Sequence, residues 1–133
     1  MGEKALIWLL RISGVILLTA LVPAVMPFGW MQAIHHKIGM GELPTGPIVG
    51  YLTRSLSLMY AIHGAYLIFI SLDIRRYLPF VKFLATVSIF FGVSMTVLDY
   101  AVKMPLGWTL CEGPMVIVLS IVLLWLAFKC RER

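Results

Sequence analysis

Arg54, Asp99 and Glu112 are ionisable residues set in or at the edge of long apolar stretches. Charges in such places are costly, about 2.5–3.5 kcal/mol each on insertion scales, so they pair or face a polar cavity. A hairpin centred near Arg76 places Arg54 and Asp99 at the same level, because they lie almost equally far from the turn on either side of it. Arg54 shares a helical stripe with Ser57, and Asp99 shares one with Gly92 and Thr96. Small residues let membrane helices approach closely. The expectation is an Arg54–Asp99 pair with Glu112 at the same level. With Ser57 and Thr96 they form a candidate outer-leaflet pocket for an anionic or zwitterionic head group.

The other reactive types give weaker patterns. His63 lies on a different face of its helix from Arg54 and reads as a packing residue. Haem ligation needs a second axial group at its depth, and the sequence offers no other histidine in a span. Arg11 lies near an inner helix end, where a long side chain can snorkel to water or pair with Asp73. Met31, His35, His36 and Met40 form two i, i+4 pairs with copper-like chemistry. Adjacent histidines point about 100° apart on a helix of 3.6 residues per turn, so the four do not converge on one ion. They are weak metal candidates, and no metal site is assigned. Cys111 and Cys130 flank one helix and lie roughly 28 Å apart at 1.5 Å per residue, too far for a disulfide. No nucleophile–base set emerges, so no catalytic residue is assigned, and the sequence requires no cofactor.

These residues need elements to hold them. The 133 residues are 61% apolar and only 13% charged, with a mean hydropathy of +0.97. So short a chain cannot bury that much apolar surface in its own core. The excess faces lipid, which excludes a soluble domain or a disordered tail. The net charge of +5 is explained by membrane topology, and no nucleic-acid partner is expected. Arg11 interrupts the first apolar stretch, which does not read as a cleaved signal.

A span takes about 20 apolar residues. The sequence predicts an all-α, four-helix transmembrane bundle as a single domain over 1–133. The spans fall at about 5–22, 48–72, 80–102 and 110–128. Pro23 and Pro27 end the first, since proline removes a donor and clashes with the preceding turn. Pro47 and Pro79 open the second and third. The stretch 73–79 reads as a loop, and no internal repeat is evident. Residues 28–40 read as an amphipathic interfacial helix with Trp30 as anchor, and Trp108 is expected at the same level.

Basic residues gather on the cytoplasmic side of membranes. The side shared by both termini and the 73–79 loop holds Lys4, Arg11, Arg75, Arg76, Lys82, Lys129, Arg131 and Arg133, against Lys37, Arg54 and Lys103 on the other. Both termini are therefore expected in the cytoplasm.

The Pro-rich end of span one, Arg54 followed by Ser55 and Tyr60, Gly64, and the Asp73–Arg75–Arg76–Tyr77 turn together resemble the small bacterial membrane proteins grouped as DoxX-like. The resemblance covers most of the chain and implies a bacterial inner-membrane location. Some of these proteins are similar to subunits that accompany sulfur-compound:quinone oxidoreductases. The arrangement of Asp99, Trp108 and Glu112-Gly113-Pro114 has no counterpart there, and no activity is carried over. Three functions follow, in order. The first is a non-catalytic accessory or assembly subunit acting through a protein partner or as a homo-oligomer. The second is a binder of a lipid-like or quinone-like molecule. The third is a membrane enzyme acting on a hydrophobic substrate.

Overall fold

A computed structural model describes residues 2–130. The charges of Arg131, Glu132 and Arg133, used above for topology, lie outside the described residues. The described residues form helices joined by turns and loops, with no strand. In order the helices are α1 (Gly2–Leu18), α2 (Leu21–Val25), α3 (Phe28–Lys37), α4 (Pro47–Ile70), α5 (Ile74–Ala101), α6 (Leu106–Cys111) and α7 (Gly113–Lys129).

Three stretches are long and apolar enough to cross a membrane: Gly2–Val25, Ile74–Ala101 and Leu106–Lys129. The sequence suggested four. The remaining helix, α4, has 24 residues, but Arg54, His63 and its serines are spread through it, whereas α5 keeps its charged residues toward its ends.

The boundaries follow from local chemistry. α1 stops at Leu18 and α2 resumes at Leu21. The break falls at Thr19, one turn before Pro23, where the proline ring would clash with the carbonyl of a continuous helix. Met26 is extended (φ −67°, ψ 153°) because Pro27 follows it. α3 ends at Lys37, short of the expected residue 40, since Gly39 takes a left-handed conformation (φ 84°). α4 begins at Pro47, as expected of a first-turn proline.

The expected loop at 73–79 is a correction. α5 begins at Ile74, and Pro79 lies inside it. The Asp73 side chain accepts a hydrogen bond from the Arg76 N–H at 3.4 Å and caps the helix well before the proline that suggested its start. The fourth expected span is also divided. α6 follows Pro105, the backbone bends at Glu112 (φ −93°, ψ −87°), and α7 runs from Gly113 with Pro114 in its first turn.

The chain forms two compact units, one of residues 10–69 and one of the residues up to Leu9 with those from Ile70 onward. In the second, α5 packs along α7 with α6 beside them. The buried positions of α5 are Ile74, Leu78, Val81, Ala85, Gly92 and Asp99. Their spacing of three, four and seven is a helix-packing seam. At Gly92 and Gly113 the two backbones touch. A Cβ on Gly92 would lie 2.8 Å from the Gly113 carbonyl, and one on Gly113 would lie 2.6 Å from the Gly92 carbonyl. In the other unit α1 crosses α4 at Gly14 and Gly64 equally closely.

Candidate functional site

Asp99 lies on the α5 seam, which explains its burial: 3% of it is exposed. Its position is fixed by the end of the helix. The Met104 N–H bonds the Asp99 carbonyl at 2.9 Å and the Lys103 N–H bonds the Tyr100 carbonyl at 3.2 Å. This is a Schellman closure, made here with Lys103 in the left-handed region (φ 58°). The carboxylate itself is not satisfied, because Asp99 Oδ2 is buried without a hydrogen-bond partner. A buried polar atom in that state costs about 1–3 kcal/mol.

Three other side chains of the same unit stand near this end of α5. Glu112 occupies the bend between α6 and α7, and its carboxylate accepts from the Trp108 indole N–H at 2.5 Å. Trp108 and Glu112 are one helical turn apart, a pairing that spacing alone permits. Glu112 directly precedes Gly113, which meets Thr96 of α5, about one turn before Asp99. The Thr96 hydroxyl donates to the Gly92 carbonyl at 2.8 Å, which leaves its oxygen able to accept. The Gly92–Gly113 contact sets this geometry, since it brings the start of α7 against the turn of α5 that bears Thr96.

Arg54 and Ser57 belong to the other unit. Arg54 is exposed, and its Nη2 donates to the Met26 carbonyl at 3.2 Å. No local pattern signals this bond. That carbonyl is available because the chain is extended before Pro27. Ser57 donates back to the Thr53 carbonyl at 2.8 Å, a local bond that helix interiors commonly absorb.

The remaining candidates are dispersed. His63 is half-buried on α4, and Arg11 is exposed on α1. Trp30 is 66% exposed and Trp108 40%, an exposure compatible with anchoring at an interface. Met31 is buried and takes a weak bond from the Thr53 hydroxyl at 3.8 Å. Met40 lies past the end of α3, and His35 Nδ1 sits 3.0 Å from the Gly41 carbonyl. The pattern of two i, i+4 pairs on one helix is thereby lost, because Gly39 ends α3 before Met40. Among the described residues no three His, Cys, Asp or Glu side chains gather to hold a metal.

A feature that sequence reasoning missed lies at the opposite end of α5. Glu3, Ile7, Leu72, Asp73 and Arg75 line an open cavity of about 330 Å³. Arg75 bonds both carboxylate oxygens of Glu3, with Nη2 to Oε2 at 2.9 Å. Their 72-residue separation hides the pairing from any local pattern.

Comparisons with known proteins add no relative: no protein-family model, no curated protein and no solved structure matches the chain.

Proposed function

We propose that this protein is a four-span integral membrane protein, with both termini cytoplasmic, that acts as a non-catalytic subunit through a protein partner. α4 is the fourth span in this reading, and the DoxX-like resemblance supports a bacterial inner-membrane location. One observation carries the partner reading. α4 exposes Arg54 together with Tyr51, Met59 and Tyr66, which are 70%, 66% and 59% exposed. A helix that presents an arginine is poorly suited to lipid along that surface. Another protein would cover it and supply acceptors for the guanidinium.

The test is native mass spectrometry of the protein extracted from its own membranes in a mild detergent. A second protein at fixed stoichiometry, lost on Arg54→Leu, supports the reading. A bare protomer refutes it. Fusing a periplasm-dependent reporter to either terminus tests the topology, and an active fusion would reverse it.

The second reading, a binder of a lipid-like molecule, is favoured by a different observation: the unsatisfied Asp99 carboxylate.

A further inference from the structure

Two segments of the chain repeat one design. Met26-Pro27-Phe28-Gly29-Trp30 recurs later in the chain as Met104-Pro105-Leu106-Gly107-Trp108. At the same offset Gly14-Val15 recurs as Gly92-Val93, and Lys4 and Leu6 recur as Lys82 and Leu84. The structure repeats with the sequence. Pro27 (φ −58°, ψ 142°) and Pro105 (φ −53°, ψ 135°) start their helices alike. The Trp30 and Trp108 backbone N–H groups donate to the carbonyls of these prolines at 3.0 and 2.9 Å. A Cβ on Gly14 would lie 2.8 Å from the Gly64 carbonyl and 2.7 Å from Ile68 Cγ1; on Gly92 the same distances separate it from the Gly113 carbonyl and Ile117 Cγ1. Ser71 and Ser120, each two helical turns past its crossing glycine, are both buried. The repeat was hidden by unequal spacing: Gly113 follows Trp108 almost at once, whereas α3, a loop and much of α4 separate Trp30 from Gly64.

Duplication supplies an internal control. In register, Asp99 answers to Leu21 and Thr96 to Leu18, while Glu112, just before its crossing glycine, answers to His63. The first copy builds its proline-started helix and its glycine crossing with leucine at the positions of Asp99 and Thr96. The scaffold therefore does not require the Asp99 carboxylate. In the second copy two carboxylates flank the α5–α7 contact at Thr96 and Gly113, one of them buried and unsatisfied. Neither has an ion-pair partner among the described residues. Carboxylates only accept hydrogen bonds, and the Trp108 indole N–H is already engaged by Glu112. What the cluster lacks is a cation that donates. Among the described residues too few ligating side chains gather to hold a metal ion. A primary ammonium carries one charge and three N–H donors, matched by Asp99, Glu112 and the Thr96 oxygen, with the Trp108 ring at the rim.

We propose that Asp99, Glu112, Thr96 and Trp108 form a binding site for a primary ammonium group, carried by an ethanolamine-type lipid headgroup or by a free amine. The site rests on the membrane reading and is independent of the protein partner. It is specific to the second copy.

The test uses the full chain in mild detergent, titrated with phosphatidylethanolamine, phosphatidylcholine or phosphatidylglycerol, with bound lipid read by native mass spectrometry. The wild type is expected to retain the ethanolamine lipid at least tenfold better than the other two, since a trimethylated ammonium has no N–H to donate. Asp99→Leu, which restores the residue of the first copy, is expected to abolish that preference while leaving the melting temperature equal or higher. Asp99→Asn, nearly isosteric, is expected to weaken it as well. Displacement of the lipid by millimolar ethanolamine assigns the site to free amines, and resistance to it assigns the site to the lipid. Equal retention of the ethanolamine and choline lipids, unchanged binding by Asp99→Leu, or loss of folding in both Asp99 variants overturns the proposal. Recovery of the wild-type chain in the soluble fraction would instead overturn the membrane reading.

Discussion

Gly113→Ala is the sharpest perturbation of the α5–α7 contact. The added methyl would lie 2.6 Å from the Gly92 carbonyl oxygen and 2.8 Å from the Thr96 backbone nitrogen, and would overlap the Thr96 hydroxyl. Ordinary contact begins near 3.4 Å, so the helices must separate by about 0.8 Å or tilt. Two of the three obstacles are backbone and cannot rotate away. Overpacking of this kind costs about 1–3 kcal/mol. Alanine returns up to about 1 kcal/mol through its better helix propensity. The net loss is therefore expected at about 1–2 kcal/mol, a drop of several degrees in melting temperature. Gly92→Ala should behave alike, and the double variant should lose less than the sum, because both methyls intrude on one contact. Gly50→Ala is the control: nothing lies within 4 Å of its added Cβ, so it should be neutral or slightly stabilising. The assay is thermal unfolding in detergent, followed by intrinsic tryptophan fluorescence. If Gly113→Ala and Gly92→Ala melt with the wild type, the close approach of α5 and α7 is wrong, and with it the placement of Glu112 beside Asp99.

Two further outcomes are expected at the other end of α5. Arg75→Gln should leave the melting temperature nearly unchanged, because an ion pair whose partners are 50% and 37% exposed is weakened by solvent; a large drop would show that the pair is shielded. Burial and the Glu3 carboxylate push the Cys130 thiol above its ordinary range, while Arg75 opposes them. Glu3→Gln removes a negative charge that disfavours the thiolate, so alkylation of Cys130 at pH 8 should quicken and its pH midpoint should fall. Arg75→Gln should move both the opposite way. Mass-resolved labelling of Cys130 measures each rate, and shifts of the reverse sign would contradict the placement of these charges.

Composition alone determined that the protein is helical and rich in membrane-length apolar segments, because 61% apolar residues in a chain this short have no core large enough to hold them. Local chemistry determined several boundaries: Pro47 opens α4, and Pro27 closes the first apolar stretch just after Val25, although Pro23, expected to end it, lies inside α2. It failed at Pro79, because a capping side chain at Asp73 and the proline beyond it both mark a helix start, and only the hydrogen bond to Arg76 decides between them. The candidate site was legible in residue types but not in its satisfaction. Asp99, Thr96 and Glu112 stood out as polar residues among apolar ones. Their depth could be counted along the chain, whereas the partner of each was a tertiary matter. Arg54 reaches a carbonyl 28 residues away, Glu112 takes the Trp108 N–H, and Asp99 Oδ2 is left with none. The duplication shows the same division. Its motifs are present in the sequence, but unequal spacing conceals the second crossing glycine, and backbone contact identifies it. Sequence decides which groups a segment carries and how they recur. Which buried group finds a partner depends on how closely the helices approach, and that is set here by glycines far apart in the chain.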